Sequence, residues 1–86
     1  MTNVLIVDDE RNIRKAFAAD VASAPDRYTL VDAIPGAESA LPLCASGKVD
    51  LVIMDINTAN YENGIEVSAR IKRRWPGIRI IVTTSY

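Results

Sequence analysis

An α/β fold built on a parallel sheet is what this 86-residue sequence predicts, and three observations carry the prediction. Short β-branched runs alternate with stretches of helical periodicity, the connections between them are brief, and acidic or hydroxyl residues stand directly after the apolar runs. Strand–helix–strand alternation within one sheet brings right-handed crossovers with it. The length gives room for one domain, residues 1–86, which buries roughly 60–65% of its unfolded surface.

Residues 3–7 form a β-branched run that stops at Asp8 and Asp9, the pattern of a first strand. Ile13, Ala16, Phe17, Val21 and Ala24 then recur at helical spacing, with Arg11, Arg14, Lys15 and Asp20 opposite them. Pro25 and Asp26 close that helix. Residues 28–34 predict a second strand, interrupted by Asp32. After a turn at Pro35 and Gly36, residues 37–46 predict a short helix with Ala40, Leu41, Leu43 and Cys44 apolar and Gly47 as its stop. Ser39 as N-cap places Pro42 in the first turn, where proline is tolerated, so this helix is either short or kinked. Residues 49–54 are a near-continuous apolar run ending in Asp55, as in a strand buried on both faces. The polar stretch 57–64 follows neither period. Residues 65–75 are helical, with Val67, Ile71 and Trp75 on one face and Glu66 four residues before Arg70. Pro76 and Gly77 end the helix, and residues 78–83 predict a fourth strand leading into Thr84, Ser85 and Tyr86. The last strand has no helix after it, so the expectation is a domain cut short.

Composition excludes several kinds of function. A hydrophobic fraction of 49% with 24% charged residues marks a soluble globular chain. The longest apolar runs, 4–7 and 51–54, are too short to span a bilayer, and no basic region leads into a long apolar stretch; a cytoplasmic location away from membranes is expected. Cys44 stands alone, which excludes an internal disulfide or a multi-thiolate metal site. Histidine is absent, which removes Ser-His and Cys-His catalysis and histidine-ligated zinc. The net charge of -1 is unevenly spread: every acid lies at or before Glu66, while Arg70, Lys72, Arg73, Arg74 and Arg79 crowd the end. These cations read as a solvated helix face and carboxyl-terminal turn suited to the macrodipole. They lack the aromatic or glycine interleaving of a nucleic-acid surface.

The chemistry gathers at equivalent places. Asp8 and Asp9 follow the first strand, Asp55 the third and Thr84 the fourth. In a parallel sheet these ends point the same way, and ligands bind outside them. The flavodoxin-like strand order 2-1-3-4 makes the first and third strands neighbours, so the aspartates converge on one crevice. At ~4 Å and an effective dielectric near ~20, each carboxylate pair costs on the order of 4 kcal/mol. Either one acid keeps a proton or a hard divalent cation binds, and oxygen ligands alone favour Mg²⁺ or Mn²⁺ over zinc. The bland alternative makes Asp8 and Asp9 an N-cap and a first-turn acid, which leaves the meeting with Asp55 unexplained. Thr84 and Ser85 are ordinary strand-end hydroxyls taken alone, but Thr84 at the mouth of such a crevice is placed to bind a phosphoryl oxygen.

The runs 4–10, 50–57 and 80–84 together resemble the receiver domain of bacterial two-component response regulators, in order and in spacing, along the whole chain. The resemblance implies that Asp55 accepts a phosphoryl group from the phosphohistidine of a sensor histidine kinase. It implies Mg²⁺ held by Asp8, Asp9, Asp55 and the backbone carbonyl of Asn57, with Thr84 as the switch hydroxyl. Such a domain is a signalling switch and not a conventional enzyme, although it assists its own phosphorylation and dephosphorylation. The resemblance further implies an output in transcription regulation, reaching DNA only through an output domain outside this chain. Two departures stand out. The family often has a Met-Pro turn after the acceptor, whereas residues 58–64 lack proline and are one residue longer, closer to regulators with a helix-turn-helix output. The family's fifth strand, its lysine and its aromatic switch residue lie beyond Tyr86, and Tyr86 is not that aromatic.

A second class of function stays open: a receiver-like fragment, inactive in phosphotransfer, that serves for docking, as a homodimer or as a strand-swapped oligomer. A Mg²⁺-dependent aspartyl phosphatase wants Asp-x-Asp after the first strand and finds adjacent aspartates. A flavin-binding domain wants hydroxyls and glycine there, and Asp8, Asp9 and Glu10 repel its phosphate.

Overall fold

The structure, a computed structural model, describes residues 1–84. Ser85 and Tyr86, read above as a strand-end hydroxyl and as an aromatic apart from the switch, lie outside the described residues. Strands β1 (Thr2–Val7), β2 (Tyr28–Ile34), β3 (Leu51–Asp55) and β4 (Arg79–Thr83) alternate with helices α1 (Arg11–Ala22), α2 (Ala40–Ala45) and α3 (Gly64–Arg74). All strand pairs are parallel, and the sheet order is β2-β1-β3-β4, as the sequence predicts. None of the described helices is long and apolar enough to cross a membrane.

Side-chain alternation along the strands sends residues to two faces. On one, Leu5, Val7, Val52 and Met54 pack against Ala40 and Cys44 of α2 and Val67 and Ile71 of α3. On the other, Val4 and Ile6 pack against Val21 of α1, with Phe17, Ala18 and Ile53 partly buried beside them. Each fully buried Val, Leu, Ile or Met among them contributes about 1.5–3 kcal/mol relative to exposure. The central strands carry this burden on both faces, which explains their near-continuous apolar sequence. β4 lies at the sheet edge with Ile81 and Val82 exposed.

Several local expectations change. Ala16 is exposed and Ala18 packs instead, so the apolar stripe of α1 is turned toward Phe17, Ala18 and Val21. Asp32 does not break β2; a register shift opposite Val4 and Leu5 leaves Val31 as an extra residue and lets Asp32 face solvent. Ser39 takes the N-cap position of α2, as expected, but does not cap it with its side chain. It ends a 3₁₀ turn (Ala37–Ser39) with helical dihedrals and no side-chain capping bond, and α2 follows directly. Pro42 is the third residue of this short helix, where its missing N–H has no intrahelical acceptor to lose. Gly47, at φ 80°, takes the left-handed position just past the helix end. The cations of α3 are partly engaged: Arg70 pairs with Glu38 at 2.9 Å and not with Glu66, Lys72 donates to the carbonyls of Pro76 and Ile78, and Arg74 lies 5.2 Å from the Trp75 ring centroid. Those contacts suit the reading as a helix face and carboxyl-terminal turn.

Candidate functional site

The register of β1 on β3 builds the site. Val7 pairs with Met54, so the next residue of each chain segment, Asp8 and Asp55, emerges from neighbouring strands at the same height. Carboxylate oxygens of Asp8, Asp9 and Asp55 lie within 4.8 Å of one another. Asp8 and Asp55 are buried, at 2% and 3% exposure, while Asp9 faces solvent. The sequence expectation of an acidic crevice at this rim therefore holds in the geometry.

The N-cap alternative for Asp8 and Asp9 does not hold. Glu10 is the N-cap of α1: its carboxylate accepts the Asn12 N–H at 2.9 Å, and the first turn holds no acid. Asp8 stands before the helix and accepts the Glu10 N–H at 2.9 Å. With the cap supplied elsewhere, helix energetics leave the aspartate pair unexplained.

Burial pushes the Asp8 carboxyl above its ordinary value; the Glu10 N–H pulls it back, and the charges of Asp55, Asp9 and Glu10 push it up again. Arg14 reaches the cluster through its Nη1, but donates to the Asp8 backbone carbonyl at 2.9 Å. Among the described residues neither Asp8 nor Asp9 forms an ion pair with lysine or arginine. Crowded, partly buried carboxylates with only oxygen donors fit a hard divalent cation of the Mg²⁺ or Mn²⁺ kind.

Asn57 follows β3 and Thr84 follows β4, at the same end of the sheet as the cluster. Asn57 lies two residues past Asp55 and bridges to Asn63 across the loop. With Asp9, Thr58, Ala59, Asn60 and Tyr61 it lines an open cavity of about 560 Å³. Thr84 is exposed immediately after Thr83, the register partner of Asp55.

The loop that the sequence left without a period contains a 3₁₀ turn (Ala59–Tyr61) in which Asn60 and Tyr61 adopt φ 63° and 59°. Consecutive left-handed residues other than glycine cost roughly 1–2 kcal/mol each, so the surroundings must hold them. Asn63 then caps α3, its side chain accepting the N–H groups of Ile65 and Glu66 at 2.9 and 3.1 Å. Gly64 starts the helix against the backbone of Asp55. Sequence reasoning missed Arg14, Thr58, Asn63 and Gly64 as parts of the site. An Asn-Gly pair before a helical run was the available signal for the last two; Arg14 and Thr58 gave none, since their partners are set by tertiary contacts.

Comparison with known proteins agrees with this geometry. The family pattern described as the response regulator receiver domain matches residues 4–86. The response regulator FleR of Pseudomonas aeruginosa is 31% identical over 83 residues, covering 96% of this chain and 17% of FleR. LiaR of Bacillus subtilis, a transcriptional regulatory protein, is 31% identical over 86 residues, covering 100% of this chain and 40% of LiaR. The chain thus spans less than half the length of either relative. Among solved structures, TrrA of Thermotoga maritima in complex with Mg²⁺-BeF is 35% identical with a TM-score of 0.86, covering 100% of this chain and 71% of that one. The same regulator in complex with the histidine kinase ThkA has a TM-score of 0.84 at the same identity and coverage. A match along nearly the whole sequence, the strand order and the aspartate crevice at the ends of β1 and β3 lead to one assignment: the chain belongs to the response regulator receiver domain family.

Proposed function

We propose that this receiver domain is a phosphorylation switch in which Asp55 takes a phosphoryl group from the phosphohistidine of a sensor histidine kinase. The observation that carries the reading is the meeting of Asp8, Asp9 and Asp55 within 4.8 Å. A carboxylate oxygen of Asp55 attacks phosphorus, the P–N bond to the donor imidazole breaks, and an acyl phosphate forms. Asp8, Asp9, Asp55 and the carbonyl of Asn57 hold Mg²⁺, which when bound neutralises charge on the phosphoryl oxygens. Thr84, at the end of the strand paired to β3, donates its hydroxyl to the phosphorylated side chain. The TrrA complexes, one with Mg²⁺-BeF and one with a kinase, support both the cofactor and the partner. The name of LiaR supports a transcriptional output, carried by parts of a longer protein that this chain does not span.

The test is uptake of phosphoryl from acetyl phosphate, read as a mass increase on intact protein and mapped to a peptide. Uptake at Asp55 that requires Mg²⁺ is the expected result. No uptake, with self-association by sedimentation, selects the second reading, a docking module paired through β4. The exposure of Ile81 at 52% and Val82 at 45% favours that reading.

The raised Asp8 pKa fixes a pH dependence. A carboxyl held above its unfolded value of 3.8 favours the folded state when protonated; that contribution is present at low pH and lost as pH rises through the folded pKa. Mg²⁺ needs the opposite protonation state. The rise in Tm produced by Mg²⁺ is therefore expected to be largest near neutrality and to shrink as the buffer is acidified through the range in which Asp8 takes up its proton. Thermal melts with and without Mg²⁺ across that range check it; a pH-independent increment contradicts protonation at the ligand cluster.

A further inference from the structure

The loop after Asp55 lacks the proline that its family often uses there, yet it holds two non-glycine residues in left-handed conformations. One buried hydroxyl stands at the centre of its support. Thr58, only 4% exposed, accepts the Ala37 N–H at 2.9 Å and donates to the Glu62 carbonyl at 3.1 Å. The Thr58 N–H reaches that same carbonyl at 3.0 Å, closing residues 58–62 into a ring. Beyond Thr58 the loop is tied twice more to the segment that leads into α2. The Ala59 N–H donates to Pro35 at 3.0 Å, and the Glu62 carboxylate accepts the Glu38 N–H at 3.1 Å. Glu38 in turn is paired with Arg70 of α3.

We infer that Thr58 is a positioning residue: its hydroxyl pins the loop to the 35–38 turn and thereby fixes the Asn57 carbonyl, one residue away, toward the aspartate cluster. This rests on the proposed role of that carbonyl as a Mg²⁺ ligand. Thr58 touches neither the metal nor the phosphoryl group. Its bridging hydroxyl joins two segments of chain, so the loop and the turn before α2 are held as one unit. Ligand binding at the crevice is therefore linked to the order of the turn before α2.

Calorimetric titration of Mg²⁺ into the unphosphorylated chain tests the inference. Thr58→Val keeps the side-chain shape and deletes the hydroxyl; it is expected to weaken Mg²⁺ binding by about tenfold or more, as loss of ligand-orienting partners does. Thr58→Ser keeps the hydroxyl and should stay within about threefold of wild type. A folded Thr58→Val protein with the wild-type affinity overturns the inference, whatever its Tm, because a purely structural role lowers stability without moving the affinity. Amide exchange on the wild-type chain decides independently if the valine variant fails to fold: Mg²⁺ should slow exchange at the Ala37 N–H by about threefold or more, and an unchanged rate overturns the linkage. If the wild-type chain binds no Mg²⁺ at all, the parent reading of the site fails and this inference falls with it. Normal binding that ignores Thr58 sinks this inference alone.

Discussion

Asp55→Asn is expected to abolish phosphoryl uptake while leaving the metal-free fold at least as stable as wild type. The two effects have separate causes. Asparagine matches aspartate in shape, but its carbonyl and NH₂ offer no anionic oxygen to attack phosphorus. Uptake should fall by at least about a thousandfold, as loss of a covalent nucleophile does elsewhere. Stability responds to charge. Carboxylates within 4.8 Å repel by on the order of 3 kcal/mol per pair at an effective dielectric of about 20. Solvent at the exposed Asp9 and the Glu10 N–H on Asp8 already offset part of this, so the net gain from neutralising Asp55 is about 1 kcal/mol, or about 4–8 °C in Tm for a domain of this size. Intact-protein mass spectrometry and thermal melts in chelator measure the two independently. Undiminished uptake would move the acceptor to another residue. A large fall in Tm would mean that the carboxylate is held by favourable contacts that outweigh the repulsion.

How much of this was legible beforehand depended on whether a feature was local or cooperative. The parallel sheet and its order could be read because residues 4–7 and 51–54 carry their burial in their own composition, and because the aspartates stand at strand ends. Helix ends were less legible, since caps compete: Glu10 displaced Asp8 and Asp9 as the cap of α1, and no side chain caps α2. Sequence spacing paired Arg70 with Glu66; the fold brought Glu38 to it instead. The loop 57–63 was opaque for a physical reason. Its order comes from Thr58, Ala59 and Glu62 meeting a turn about twenty residues earlier in the chain, and no local period records such contacts. The aspartate triad, by contrast, follows from topology alone once the strand order is fixed.

Gly64→Ala is expected to be among the most damaging single-methyl additions to this protein, although helix propensity argues the other way. Alanine in place of glycine inside a helix is ordinarily favourable by about 1 kcal/mol. Here a Cβ at position 64 would lie 2.8 Å from the carbonyl carbon of Asp55 and 3.0 Å from Met54 Cγ, and closer still to the Asp55 carbonyl oxygen. The first two are at or inside the tightest approach of packed carbon atoms, and the third is an overlap. Neither side has slack. Asp55 is registered against Thr83 of β4, Met54 is fully buried, and the Gly64 N–H is bound to the Ile56 carbonyl at 2.7 Å. The start of α3 must lift away, loosening Val67 and Ile71 from the core and shifting the strand end that carries Asp55. Overpacking of this kind costs about 3 kcal/mol or more, a fall of about 12–24 °C in Tm. Gly77→Ala is the matched control, because a Cβ there meets nothing within 4 Å. Melting Gly64→Ala beside Gly77→Ala and wild type separates the outcomes. If all melt together, α3 does not rest on the Asp55 backbone. If Gly64→Ala alone collapses, α3 rests on the Asp55 backbone, and the helix that covers this face holds the strand end that carries Asp55.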